Sequence, residues 1–172
     1  MGKDKALISI EDRTMLARAV DFCSLFCDEV LISSDQETHK TEGIRIIEDE
    51  WKDCGPMGGI YSCLKASIHS WNFVLSVDTP FVEQEFVHAL LKEVNDFDAV
   101  VPFHYDKKEP LIALYHKNTL PEIEQLLKTG SYKIHFLLER VNTHFFNAGN
   151  YLLKYPRMFH NMNFPEDLKN LE

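Results

Sequence analysis

Asp78 follows Val74-Leu75-Ser76-Val77 and precedes Thr79-Pro80. A carboxylate at the mouth of a buried strand needs a partner, because an unpaired charge there is costly. A divalent cation shared with phosphate oxygens would supply one. The run Asp-Thr-Pro equally suits a helix start with Asp78 as N-cap, and position alone favours neither reading. Lys3 and Lys5 precede Ala6-Leu7-Ile8. They could neutralise a triphosphate as charge builds in phosphoryl transfer, although a solvated lysine is the default there. Gly55-Pro56-Met57-Gly58-Gly59 lacks both G-x-G-x-x-G and the Gly-Lys-Ser/Thr ending of a P-loop. It reads first as a turn with close helix packing and second as a ligand-lining loop.

Alternating elements must position these residues. Thr14 to Cys27 carries apolar residues at helical spacing with Thr14 as N-cap. Strands are expected over 29–33, 44–47, 72–77, 99–103 and 111–115. Helices are expected from Pro56 through Ser67, over 82–94, over 121–128, and after Asn163 or Phe164 with Pro165 in the first turn. Between the strands at 99–103 and 111–115 lies a polar turn, His104 to Glu109. Uniformly apolar strands alternating with helices indicate an α/β, three-layer α/β/α fold around a mostly parallel, Rossmann-like sheet. Ligands in such sheets bind beyond the carboxyl ends of the strands, which singles out Asp35, Asp49 and Asp78.

Composition removes several classes. One domain over residues 1–172 is the economical reading, since no repeat or low-complexity linker interrupts the chain. A net charge of −9 argues against nucleic acid as a partner, because such proteins usually carry a basic face. Nucleoside triphosphates remain open, since a few donors and Mg²⁺ suffice for them. No apolar run reaches the roughly 20 residues of a membrane span, and no secretory h-region opens the chain. Cys23, Cys27, Cys54 and Cys63 form no C-x-x-C pair and read as reduced, packed side chains in a cytoplasmic, reducing compartment. The eight histidines show no zinc spacing, and no Gly-x-Ser-x-Gly elbow offers a nucleophile.

Five stretches, in order, resemble the molybdenum cofactor guanylyltransferase family, within the nucleotide-diphospho-sugar transferase type of fold. Met1-Gly2-Lys3-Asp4-Lys5-Ala6-Leu7 is similar to the end of its L-A-G-G-x-S-x-R-M-G-x-D-K-A-L signature. Asp53 to Ile60 resembles its G-P-L-A-G-I segment, with Met57-Gly58 in place of Leu-Ala. Val77-Asp78-Thr79-Pro80-Phe81 resembles D-x-P-F. Glu109-Pro110-Leu111, Ala113 and Tyr115 resemble P-L-x-A-x-Y. Asn161 to Leu168 resembles N-x-N-T-P-E-D-L, with Phe164 in place of Thr.

The resemblance implies GMP transfer from GTP to the phosphate of molybdopterin, with loss of pyrophosphate. It implies Lys5 on the nucleotide phosphates, Asp78 on Mg²⁺, and Asp49 on GTP; Asp35 stands where the family more often has Asn. Arg140, Asn161 and Asn163 would line the pterin side. A molybdoenzyme would receive the product, and no motif specifies it, a chaperone or an oligomeric state. Asp4-Lys5 and Thr79 favour the guanylyl over the cytidylyl branch, and Asp49 could accept from the N1–H and N2–H₂ donors of guanine. The strand and Gly-Gly loop that precede this stretch in the family stand outside the sequence, which begins at the Met of R-M-G-x-D-K. Their absence would leave two strand edges unpaired and remove backbone N–H donors from the triphosphate. Weak turnover is therefore expected, and a non-catalytic binding or adaptor protein is the alternative from another class.

Overall fold

The computed structural model describes residues 4–10 and 12–162. A short hairpin, β1 (Ser9–Ile10) and β2 (Arg13–Thr14), leads into α1 (Met15–Cys23). Thr14 caps α1 as its sequence predicts, its Oγ1 accepting from Ala17 N at 3.1 Å. The helix stops four residues before the expected Cys27. There Ser24 Oγ donates to the Val20 carbonyl at 2.8 Å, and the chain tightens into turns.

Next come β3 (Leu31–Ser33), β4 (Arg45–Ile47), α2 (Pro56–Ala66), β5 (Trp71–Leu75) and α3 (Gln84–Leu91). β6 (Ala99–His104), β7 (Lys107–Lys108), β8 (Ile112–His116) and α4 (Leu120–Lys128) follow. α5 (Ile134–Leu138), β9 (Thr143–Asn147) and α6 (Gly149–Lys154) end the described chain. β3 and β4 pair in parallel as a sheet of their own. The larger sheet is β5-β8-β6-β7, with β9 alongside β6.

This larger sheet is mixed rather than mostly parallel. β8 runs antiparallel to both β5 and β6, while β9 runs parallel to β6. The cause was visible in the polar turn after His104. A connection that short returns the chain beside itself, and parallel neighbours need a longer crossover. Inside the turn Glu109 accepts from His104 Nε2 at 2.9 Å and pairs with Lys107 at 2.8 Å. Strand β9 escaped the sequence reading because Thr143-His144-Phe145-Phe146-Asn147 shows neither an apolar run nor clean alternation. The helix expected after Asn163 lies outside the described residues.

Alternate side chains of β5 point to opposite faces of the sheet, each of which is covered by helices. Phe73 and Leu75 join a cluster with Phe22, Phe26, Phe86 and Leu90. Val74 packs on the opposite side with Ile60, Leu64 and Leu126. A smaller cluster of Ala6, Leu16, Val20 and Ile32 ties α1 to β3. Among the described residues no helix is long and apolar enough to cross a membrane.

Candidate active site

The chain carries β5 one ladder bond further, Ser76 N donating to Leu111 O at 2.8 Å, and then turns. The turn is held by Thr79, whose N and Oγ1 both donate to Ser76 O, at 3.2 and 2.7 Å. Ser76 Oγ donates to Asp78 Oδ1 at 2.6 Å. The helix-cap alternative falls here: α3 begins only at Gln84, with Glu83 at its N-cap position. Asp78 instead leaves its Oδ2 toward a partly open mouth, with the side chain 21% exposed.

Lys5 reaches that mouth from the other side, its Nζ 3.9 Å from Asp78 Oδ2. At that separation and exposure the pair adds little stability, so its content is positional. A 3-10 turn, Lys5–Leu7, holds the lysine, capped by Asp4 Oδ1 accepting from Ala6 N at 3.0 Å. Asp4 Oδ2 lies 2.7 Å from His39 Nε2, and His39 Nδ1 lies 2.6 Å from Ser34 Oγ. Ser34 Oγ also accepts from Gln36 N at 3.0 Å. His39 thus bridges Asp4 and Ser34 through its two ring nitrogens. The relay fastens the lysine segment to the exit of β3.

Asp49, beyond β4, accepts from Ser33 Oγ at 2.7 Å, joining the exits of β3 and β4. Its carboxylate lies over the first turn of α2, where the helix dipole favours negative charge. A Cβ on Gly59 would overlap the Ser33 hydroxyl, and one on Gly58 would come within 2.8 Å of Trp51 O. Gly55, at φ 59° and ψ −156°, opens α2 with Pro56 in its first turn. The glycine run therefore serves close packing, the first of the two sequence readings. Asp35 is exposed beside Lys52. The Lys52 ammonium is held above its ordinary range by its hydrogen bond from Nζ to Glu48 and then, more weakly, by Asp35 and Asp49.

Four of the expected residues, Lys5, Asp35, Asp49 and Asp78, thus gather at the carboxyl ends of β3, β4 and β5. Asn161 is next to them: the following residue, Met162, donates its N–H to Asp78 O at 2.8 Å. Arg140 is not brought there. It precedes β9, at the amino end of a strand parallel to β6, and its Nη1 bonds Glu122 of α4 at 2.8 Å. Asn163 and Lys3 lie outside the described residues. Ser33, Asp4, His39 and Lys52 were missed by the sequence reading. Ser33-Ser34 at a strand end offered a faint signal; the Asp4–His39 contact, across 35 residues, offered none.

Metal capacity is modest. Among the described residues no group of three or more His, Cys, Asp and Glu side chains is placed to hold an ion. A lone carboxylate suits Mg²⁺, which typically takes one or two carboxylates, substrate phosphates and several waters. The cysteines are packed: burial pushes the Cys23 and Cys63 thiols up to about 12, and Cys54 is buried.

Comparison with known proteins agrees with this geometry. Residues 1–144 match the MobA-like NTP transferase domain. The chain is 34% identical, over 97% of its length and 88% of the other's, to a probable molybdenum cofactor guanylyltransferase of Halalkalibacterium halodurans. It is 30% identical to a molybdenum cofactor guanylyltransferase of Vibrio campbellii, over 97% and 85% of the two chains. The crystal structure of molybdopterin-guanine dinucleotide biosynthesis protein A from Archaeoglobus fulgidus superposes with a TM-score of 0.82 at 27% identity, covering 99% of this chain and 90% of that one. A 2-C-methyl-D-erythritol 4-phosphate cytidylyltransferase from Thermus thermophilus shares the fold at 15% identity, with a TM-score of 0.73 over 96% and 91% of the chains. The chain belongs to the MobA-like NTP transferase domain family.

Proposed function

We propose that the chain is a cytoplasmic nucleotidyltransferase that moves GMP from GTP to the phosphate of molybdopterin. The observation that carries this reading is the meeting of Lys5 and Asp78 beyond the carboxyl end of β5, in a chain of this family. A phosphate oxygen of molybdopterin attacks the α-phosphorus of GTP in line, and the bond to the departing pyrophosphate breaks. Asp78 would hold Mg²⁺, which supplies charge neutralisation for the triphosphate when bound.

The chain's own residues do the rest by positioning and electrostatics. Lys5, fixed through Asp4 and His39, meets the phosphates. Asp49, already oriented by Ser33, accepts from the guanine edge, with Asp35 and Lys52 nearby. Asn161 borders the pterin side. Arg140 would join only through a rearrangement that released Glu122, and Asn163 is proposed from the resemblance alone. Asp35, Asp49 and Asp78 make the mouth acidic, which explains why a triphosphate would need both Lys5 and a cation there.

Incubating the chain with GTP, Mg²⁺ and molybdopterin should release pyrophosphate, faster than with CTP. Asp78→Ala should lower the rate by roughly a hundredfold or more, the scale of losing one preorganised charge contact. Equal rates for parent and variant would remove the enzyme reading.

A further inference from the structure

The hairpin between β6 and β7 breaks a local rule. Its loop is Tyr105-Asp106, between the paired residues His104 and Lys107. Tyr105 sits at φ 50°, a left-handed conformation that such loops ordinarily give to Gly, Asn or Asp. Its side chain is also 89% exposed. A turn that spends backbone strain to hold an aromatic ring in water points to a function for the ring.

Behind that ring stands a buried acceptor. Glu109 is buried, and it meets His104 Nε2 and Lys107 Nζ through the same oxygen, Oε1. Oε2 is left to accept from a further donor. His104 lies between two rings, Phe159 stacked at 5.0 Å and 15°, and Tyr105 edge-on at 5.8 Å. Its Nδ1 is buried without a partner among the described residues, so Glu109 and Phe159 set the place of the imidazole. Lys107 is largely exposed, and its ammonium has donors beyond the one given to Glu109. A ring face, an acceptor and a donor thus surround one imidazole.

This group belongs to the same end of the sheet as Lys5 and Asp78. β8 runs antiparallel to β5, so it starts where β5 ends. Ser76 N bonds Leu111 O; Asp78 lies two residues beyond the first, and Glu109 two residues before the second. The segment from Phe159 to Met162 joins the two places. Phe159 rests on His104, and Met162 N bonds Asp78 O at 2.8 Å. Three residue steps reach at most about 11 Å, and Asn161 lies among them.

We propose that the hairpin grips the pterin ring of the acceptor substrate. Tyr105 stacks on the ring, Glu109 Oε2 accepts from a ring N–H, and Lys107 donates to the neighbouring ring carbonyl. His104 is a positioning residue that acts through Glu109. The inference rests on the nucleotidyl-transfer reading and adds residues to its second substrate. A 2-amino-4-oxo pterin presents an N–H beside a C=O, the complement of a carboxylate oxygen beside an ammonium. Guanine presents the same edge, but Ser33 and Asp49 stand at the exits of the other sheet. Molybdopterin carries its ring and its phosphate at opposite ends. With the ring at the hairpin, the phosphate extends past Asn161 toward Asp78.

The test titrates molybdopterin, under anaerobic conditions, and GTP separately into the whole chain and its variants. Tyr105→Ala and Lys107→Met, both at exposed side chains, should each weaken molybdopterin binding about fivefold or more. GTP binding should stay within about twofold of the parent's, the usual range for a surface change. Tyr105→Phe, which keeps the ring face, should restore molybdopterin binding. Glu109→Gln should also weaken it; if that variant fails to fold, the two exposed positions decide. Parent-like molybdopterin binding in Tyr105→Ala and Lys107→Met overturns the proposal, as does a parent that does not bind molybdopterin. So does weakened GTP binding in its place, which assigns the hairpin to guanine, or no recovery with Tyr105→Phe. Pyrophosphate release is scored apart from binding. A parent that binds both substrates and releases none would remove the transferase reading and leave the pterin site standing.

Discussion

The two sheets of this molecule are built to different standards. In the larger one, Ala99, Val100 and Val101 of β6 are fully buried, flanked by β8 and β9 and covered by α2, α3 and α4. In the smaller one, Ile32 is buried while Leu31 is half-exposed and Ser33 exposed, and among the described residues each strand has a single partner. Asp78 belongs to the first region, whereas Lys5, Asp35 and Asp49 belong to the second. The candidate site straddles a packed scaffold and a sparsely packed flank. Local stability follows buried contacts, so the two halves should respond differently to the same kind of insult.

The largest contrast should come from core truncation. Phe86 is fully buried and meets Phe146, Tyr151 and Phe159 edge to face. Phe86→Ala should cost about 3–5 kcal/mol in urea denaturation. Ile32→Ala, in the small cluster between α1 and β3, should stay at or below about 2 kcal/mol, the low end for such a change. Equal losses would erase the distinction between the halves.

A glycine substitution probes the seam between them. Gly59→Ala must push Ser33 aside and disturb its bond to Asp49. A cost of about 1–3 kcal/mol is expected for this overpacking, together with weaker GTP binding than Asp49→Asn alone would give. Unchanged stability would show that the exits of β3 and β4 are loosely packed.

The smallest effect is electrostatic. Burial alone would raise the Glu29 carboxyl, but the Ile68 N–H, Ser67 and Arg45 together hold it below its ordinary value of 4.5. A depressed carboxylate stabilises the fold above its unfolded pKa, and that contribution disappears as pH falls through the folded value. Glu29→Gln should therefore lower stability near about pH 7 by under about 1 kcal/mol, with the gap from the parent closing by about pH 3. A gap that widens in acid would reverse the sign.

What could be read from sequence divides along the same line. Helices with a cap or a proline start, at Thr14, Pro56 and Pro121, were found at or near their true starts, because capping is local chemistry. Strands with apolar runs, such as Val100-Val101, were found for the same reason. The antiparallel return of β8 was legible in the short turn after His104, whereas the existence of β9 depends on which strands meet, and residue patterning does not encode that. Among site residues, the strand-end rule found the aspartates. It could not find Asp4 and His39, whose contact exists only once the chain has folded. Nor could it foresee that Glu122 engages Arg140 at the other end of the sheet.

The central claim is that Asp78 anchors a magnesium ion for nucleotide phosphates between the two regions. Calorimetric titration of GTP, with and without Mg²⁺, into the parent and Asp78→Asn tests it most directly. Mg²⁺ should tighten GTP binding to the parent by about tenfold or more, or roughly 1.4 kcal/mol, and should do nothing for the variant. The same magnesium dependence in both proteins would contradict it.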